Sequence, residues 1–299
     1  VKVLLTGASG FVGSHVARLL VREGCEVHAL VRAKSDLRRI ADLRSQLHFV
    51  TGDIRYPMTL DAVAERTPEI CFHLGWYATP GSYLRATENI DLMASTLKLA
   101  TRLAESGCKR FVGVGTCFEY DTVAGYLSEE TRLAPAFLYS AAKAGTYLAL
   151  QCLSQSMSIA WARIFYLYGP FENEGRLVPS VIHALLSGEP ARCTRGDQVR
   201  DFLHVEDVAS AIWCTGKSAL RGAVNVGSGN PVTVASIVRE IGALIGKPDL
   251  VRLGALASSP GDPPFVCANN RRLRTETDWE PRYDLSAGLS QTIEWWRTA

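Results

Sequence analysis

Apolar, β-branched runs at 1–6, 26–31, 47–51, 70–74 and 110–115 alternate with stretches of helical periodicity at about 11–23, 37–44, 59–66, 86–106 and 139–156. Short apolar runs of this kind fit strands covered on both faces, and their regular alternation with helices is the pattern of parallel βαβ units. The prediction is an α/β fold: a doubly wound parallel sheet with crossover helices on both faces. After about residue 170 the pattern loosens into Pro, Gly and charged segments, with helices predicted near 177–187, 205–218, 233–246 and 284–298. Residues 1–165 are assigned to the sheet domain. Residues 166–299 are assigned to a smaller C-terminal substrate domain over the carboxyl ends of the strands, where open sheets bind ligands.

Two local patterns add chemistry. Gly7-Ala8-Ser9-Gly10-Phe11-Val12-Gly13 follows the first strand run and opens the helical pattern Val12, Val16, Leu19, Leu20. Glycines there permit a tight turn and close backbone approach, and the helix N-terminus favours a pyrophosphate, so the context is that of a dinucleotide site. Downstream, Tyr139-Ser-Ala-Ala-Lys143 places a phenol and an ammonium on one helix face. A tyrosine titrates near pH ~10 unless a nearby positive charge favours its phenolate, and Lys143 is spaced to supply that charge.

With its Gly-x-x-Gly-x-x-Gly spacing and the Tyr139/Lys143 pair, the chain resembles the extended short-chain dehydrogenase/reductase family of nucleotide-sugar epimerases, dehydratases and ketoreductases. The resemblance runs nearly end to end and implies a Rossmann sheet holding a nicotinamide dinucleotide. Gly7, Ser9, Gly10, Phe11, Val12 and Gly13 would then form the phosphate turn. Gly52-Asp53-Ile54 is similar to the family's adenine-binding acidic turn, and His73-Leu74-Gly75 to the strand end beside the nicotinamide ribose. Phe111-Val-Gly-Val-Gly-Thr116 resembles the fifth strand and its active-site hydroxyl, and Tyr168-Gly169-Pro170 the turn after the sixth. Arg200-Asp201-Phe202 through Asp207, Asn225-Val-Gly227-Ser-Gly229 and Trp279-Glu-Pro281 continue the match. By the same resemblance 205–230 returns to the first domain. Helices 86–106 and 139–156 would pair with their copies in a homodimer, although their leucines also serve burial against the sheet.

The resemblance gives Thr116, Tyr139 and Lys143 the catalytic roles. The hydroxyl would bond a substrate oxygen, the phenol would move a proton, and the ammonium would hold the nicotinamide ribose and depress the phenol's pKa. Thr116 could otherwise simply cap a turn. The family's 4,6-dehydratases carry Asp and Glu directly after this threonine; here stand Cys117 and Phe118. A cysteine in its 3,5-epimerases stands one place later than Cys117, so Cys117 reads as inert or substrate-lining before acid or base. What remains is redox chemistry at one carbon.

Arg32 ends the second strand run where an NAD site usually carries an acid, and with Lys34 nearby it could pair with the 2′-phosphate of NADP(H), which is favoured over NAD(H). The other reading leaves Arg32 exposed and gives the ribose to Asp36. Arg200 resembles the family's arginine for a nucleotide-sugar diphosphate, or else pairs with Asp197 or Asp201. Ser259-Pro260-Gly261-Asp262 resembles an Arg-Pro-Gly-Asp phosphate motif with serine in place of arginine, and Arg176 could compensate. Tyr166 stands where relatives have a substrate-binding asparagine. Trp76, Tyr77 and Glu119 would shape a sugar pocket or serve packing.

Composition narrows the class. A net charge of +2 gives no basic footprint for nucleic acid. Eight cysteines without Cys-x-x-Cys spacing indicate neither a metal site nor a disulfide framework, and no apolar run of about 18 residues predicts a membrane span. The opening segment is expected to be a strand and phosphate turn rather than a leader. The expectation is a soluble cytoplasmic enzyme: an NADP(H)-dependent ketoreductase of a 4-keto-6-deoxy sugar on a nucleotide. A 4-epimerase with retained NAD and a non-catalytic dinucleotide-sensing protein are the alternatives.

Overall fold

The computed structural model describes residues 1–153, 157–258 and 261–298. Its first half alternates β1 (Lys2–Thr6), α1 (Phe11–Arg22), β2 (Glu26–Val31), β3 (Leu47–Thr51), α2 (Pro57–Ala64), β4 (Ile70–His73), α3 (Glu88–Glu105) and β5 (Arg110–Thr116). There follow β6 (Tyr126–Leu127), α4 (Leu138–Cys152), β7 (Ser158–Ile164), β8 (Tyr166–Tyr168), α5 (Leu177–Leu186), β9 (Ala191–Arg192) and β10 (Val199–His204). The chain continues through α6 (Val205–Lys217), β11 (Gly222–Val226), β12 (Pro231–Thr233), α7 (Val234–Ile245) and β13 (Val251–Arg252). It closes with β14 (Phe265–Ala268), α8 (Arg271–Glu276) and α9 (Leu285–Thr298). Residues 154–156, where the fifth helix was expected to end, and Ser259-Pro260 lie outside the described residues.

Seven parallel strands form the main sheet in the order β11-β7-β5-β4-β1-β2-β3. Val3, Leu4 and Leu5 of the central β1 have no exposed surface, because helices cover both faces; this is why the strands read as continuous apolar runs. The chain winds outward from β1 to β3 and then crosses back to β4, so the strand order reverses between β1 and β4. A crevice at such a reversal is where doubly wound sheets take ligands. A smaller sheet, β12-β10-β14-β6 with β8 on β10, stands beside it. Apolar faces of α5, α7 and α9, among them Ile182, Ile241 and Ile293, form a third core.

Late sequence also enters the main layer: β11 forms its edge, and Trp213 of α6 packs against Phe72 of β4, ring centroids 6.1 Å apart. At the start of α6, the buried Asp207 carboxylate accepts the amides of Arg282 (2.8 Å) and Tyr283 (3.1 Å), and the Trp279 indole donates to its carbonyl. The Asp207 and Trp279 motifs thus clamp each other.

The helix expected at 37–44 is instead a short 3-10 stretch, Arg38–Leu43, kinked at Ile40. Its apolar residues Leu37, Ile40 and Leu43 recur every third position, the period of the tighter helix. On β5, Gly113 and Gly115 share one face because strand side chains alternate. A Cβ on Gly113 would lie 2.3 Å from the Trp161 ring on neighbouring β7, so glycine there makes room for a buried indole.

His73 pins three elements together. Its Nδ1 meets Thr6 Oγ1 at 2.8 Å and its Nε2 meets Thr96 Oγ1 at 2.9 Å, joining β4 to β1 and α3. Burial, and then the nearby Lys143, push the imidazole down to about 3 from 6.5. The unfolded chain therefore takes a proton that the fold refuses. Stability from this group is complete above pH 6.5 and falls as the pH drops toward 3, by up to about 1.4 kcal/mol per pH unit. His73→Gln should be less stable near neutral pH yet lose less on acidification. Urea midpoints at about pH 7 and about pH 5 that drop equally in both proteins would contradict this.

Candidate active site

The crevice between β1 and β4 is built by glycine. Gly7 has a positive φ of 75°, and a Cβ there would lie 2.8 Å from the Gly75 amide nitrogen; one on Gly13 would lie 1.9 Å from the Gly7 carbonyl oxygen. The turn can therefore press on Leu74-Gly75 while α1 presses on the turn. Gly10 caps α1 without a side-chain bond, and its first turn carries no acid, so its amides can receive an anion. Ser9, Phe11 and Val12 are partly exposed on this turn.

Beyond β1, Arg32 is exposed at the end of β2 with Lys34. Asp53 follows β3, where a bond from Arg55 (2.7 Å) and, less strongly, the charge of Arg32 hold its carboxyl below the ordinary range. Ile54 beside it is buried. Asp36 is taken by Arg38 at 2.8 Å.

On the other side of β1, Thr116, Tyr139 and Lys143 converge. Thr116 ends β5 and caps a 3-10 turn, Cys117–Glu119, with its Oγ1 accepting the Phe118 amide at 3.3 Å. The cap and the hydroxyl expected to bond the substrate are thus one group. Lys143 is buried; its Nζ donates to the Val114 carbonyl at 2.6 Å and lies 3.9 Å from the centre of the Trp76 ring. The Trp76 indole in turn donates to the buried Asn89 at 2.8 Å. Tyr83 meets Tyr139 edge to face at 4.9 Å. Asn89 and Tyr83 completed the site without a sequence signal, for they lie in and after an irregular loop.

Electrostatics correct one expectation. Lys143 does not hold the phenol's pKa down in this structure: burial pushes Tyr139 well up, against a bond from Thr116, and pushes Lys143 down to about 7. Trp76 covers the buried Lys143 and Tyr83 packs on the partly buried Tyr139, which limits the water that would solvate either charge, and Lys143 Nζ stays 6.0 Å from the Tyr139 ring centre.

The substrate side departs further from expectation. Cys117 does not line the crevice openly: it is 2% exposed among Tyr120, Leu127 and Phe165, and burial pushes its thiol up to about 12. Arg200 pairs with neither Asp197 nor Asp201 but with Asp262 at 2.6 Å, and it stands 5.2 Å from the Tyr166 ring centre. Asp197 is held by Arg195, and the buried Asp201 accepts the amides of Ser228, Gly229 and Ala268. The sequence pattern could not show that β10 turns Arg200 toward the Gly261-Asp262 segment. Arg176 is exposed and stacks over Tyr83 at 5.8 Å, which brings it to the mouth above Tyr139. Tyr77 bonds Ser82 in the same loop at 2.9 Å. Glu119 faces inward and is fully buried, so it shapes no pocket.

Among the described residues no group of three or more His, Cys, Asp or Glu could hold a metal ion, and no helix is long and apolar enough to cross a membrane.

Known proteins resemble the chain along nearly its whole length. The chain is 28% identical over 318 residues to a UDP-glucose 4-epimerase of Mycolicibacterium smegmatis, covering 99% of this chain and 98% of that one. It is 27% identical over 326 residues to a dTDP-glucose 4,6-dehydratase of Xanthomonas campestris, covering 99% and 93%. The crystal structure of a UDP-glucose 4-epimerase from Thermotoga maritima superposes with a TM-score of 0.90 at 22% identity, over 100% of this chain and 99% of that one. The model of the NAD dependent epimerase/dehydratase family matches residues 3–227, and the chain belongs to that family.

Proposed function

We propose that this chain is a nucleotide-sugar 4-epimerase, oxidising one ring carbon of a sugar diphosphonucleoside and returning the hydride to its other face. The carrying observation is the turn after Thr116: it adds no second proton-transfer group to Tyr139. Burial pushes the Cys117 thiol up to about 12, so it holds its proton at neutral pH; Phe118 has none to give, and the Glu119 carboxylate is locked against Arg163 at 2.7 Å. Loss of water from a neighbouring carbon would need a further acid and base. Similarity to 4-epimerases supports the same reading.

The residues fit a nicotinamide dinucleotide, which supplies hydride transfer when bound. The bare amides of α1 and the glycine turn would hold its pyrophosphate, Asp53 and Ile54 its adenosine, and Leu74, Gly75 and Lys143 its other ribose. Tyr139 would have to be ionised to take the proton from the sugar hydroxyl on oxidation, and as the neutral phenol that burial favours it would give the proton back on reduction, while Thr116 Oγ1 would bond the same oxygen. Arg200 and Arg176 would meet the diphosphate; Asp262 already offsets part of the charge on Arg200. Exposed Ile90 on α3 and Leu148 on α4 support a homodimer through these helices, and eight unpaired cysteines suit the reducing cytoplasm.

Arg32 favours a second reading, net NADP(H)-dependent reduction of a keto sugar, because a guanidinium at the end of β2 suits a 2′-phosphate. Incubation with a nucleoside-diphosphate hexose separates the two. The expected outcome is a product of unchanged mass, epimeric at one carbon, with no net consumption of cofactor; Cys117→Ser should retain most of this activity. Loss of water by mass spectrometry would overturn the proposal, and stoichiometric oxidation of NADPH by a keto sugar would replace it with the second reading.

For the cofactor, Arg32→Asp should shift the ratio of NADP(H) to NAD(H) affinity toward NAD(H) by about tenfold or more, the scale of one charge-assisted bond. An unchanged ratio in direct titrations would remove Arg32 from the site.

Tyr139→Phe should lower kcat by about 10²–10⁴-fold with cofactor binding nearly intact, whereas Lys143→Met should impair both. Near-normal turnover in Tyr139→Phe would mean that the proton moves elsewhere.

A further inference from the structure

Behind Thr116 lies an ion pair that the proposed chemistry does not use. Glu119 has no exposed surface and Arg163 is 1% exposed. One Glu119 oxygen accepts the Thr116 amide at 2.9 Å and the Trp161 indole at 3.0 Å, and the other accepts Arg163 Nε at 2.7 Å. Arg163 Nη1 donates to the Tyr120 hydroxyl at 2.8 Å, which donates to buried Asn225 at 2.7 Å. The chain makes room for this carboxylate, since a Cβ on Gly115 would lie 2.2 Å from Glu119 Oε1.

A buried pair of this kind is a poor source of stability, because desolvating two ions costs about as much as their attraction returns and apolar replacements often do as well. Its placement suggests another use. The Thr116 amide it grips belongs to the residue whose hydroxyl faces the site, and Lys143 Nζ is bonded to Val114, two residues back on the same strand. Glu119 and Cys117 face the phenol from the turn after β5, and Tyr83 faces it from the loop before α3. Glu119 and, from β4, His73 face the amine, with Arg163 behind Glu119. His73 is neutral at working pH and Cys117 keeps its proton.

We propose that Glu119 and Arg163 are positioning residues of the reactive centre: Glu119 fixes the Thr116 turn and sets the electric field at Lys143 and Tyr139, and Arg163 fixes and partly offsets Glu119. The inference rests on Thr116, Tyr139 and Lys143 being the reactive set. The field makes the two substitutions act with opposite signs. Glu119→Gln removes the anion and leaves the cation, so protons leave Lys143 and Tyr139 more readily; Arg163→Met leaves the anion uncompensated, so both groups hold their protons more tightly.

The test is an NMR titration of protein labelled with ¹³C at the lysine ε-carbon, Lys143→Met identifying the signal, beside the pH profile of kcat/KM. The pKa of Lys143 is pushed down by burial to about 7 from the ordinary lysine value of 10.5. It is expected to move to lower pH by about one unit in Glu119→Gln and upward in Arg163→Met, with the pH profile moving the same way in each. The double variant Glu119→Gln/Arg163→Met, which buries no lone charge, should fold where a single variant fails and should place Lys143 below its wild-type value. A Lys143 titration unmoved in the folded variants would overturn the proposal. If that titration moves as expected while Tyr139→Phe leaves turnover intact, the field stands and the catalytic assignment of Tyr139 falls.

Discussion

Everything at this site depends on how closely backbone can approach backbone where β1, β4 and β5 end. Gly7 and Gly13 let α1, the first turn and Leu74-Gly75 meet at distances that a single methyl would forbid. That approach leaves the helix amides bare and aimed at the crevice, which is the physical basis for holding a charged ligand without a dedicated cationic side chain. The same economy recurs on β5, where Gly113 and Gly115 admit Trp161 and the Glu119 carboxylate behind the strand. Front and back of Thr116 are thus both shaped by missing side chains.

Much of this was legible in the sequence, and the physical reason is that it is local. Buried parallel strands must be apolar on both faces, so the five runs from Val1 to Gly115 announced themselves, and the glycine spacing and the Tyr139/Lys143 pair followed within single turns. The family resemblance could be carried position by position for the same reason. What escaped was long-range or irregular. The two-residue strands β6, β9 and β13 have too few residues for any period, and α8 is a helix of six residues. Arg200 had acidic neighbours in sequence, but its partner, Asp262, is 62 residues away. Glu119 looked like a pocket residue because it follows Thr116, yet a 3-10 turn rotates it inward to Arg163, 44 residues on.

The expected electrostatic partnership of Tyr139 and Lys143 shows where spacing alone misleads. Four residues on a helix bring two side chains to one face, but burial decides which protonation state each prefers. Trp76 and Tyr83, large residues at the site's mouth, limit water around both groups, and each is driven toward its neutral form. A neutral phenol is a proton donor first, and the charge on the amine becomes sensitive to any anion nearby. Glu119 is such an anion.

These constraints bear on what distinguishes members of one family built on one sheet. On the proposed reading the strands, the glycine turn and the tyrosine–lysine pair would bring a sugar oxygen and a hydride donor together; they would not choose between reduction, epimerisation and dehydration. On that reading the choice would lie in the few residues after β5 and at the end of β2, the first governing whether a second proton can move and the second which dinucleotide binds. Here the turn after β5 spends its carboxylate inward, on Arg163, and buries its thiol. On the proposed reading the centre would have a single proton to move at a single carbon, and any change in the sugar would be one of oxidation state or configuration at that carbon.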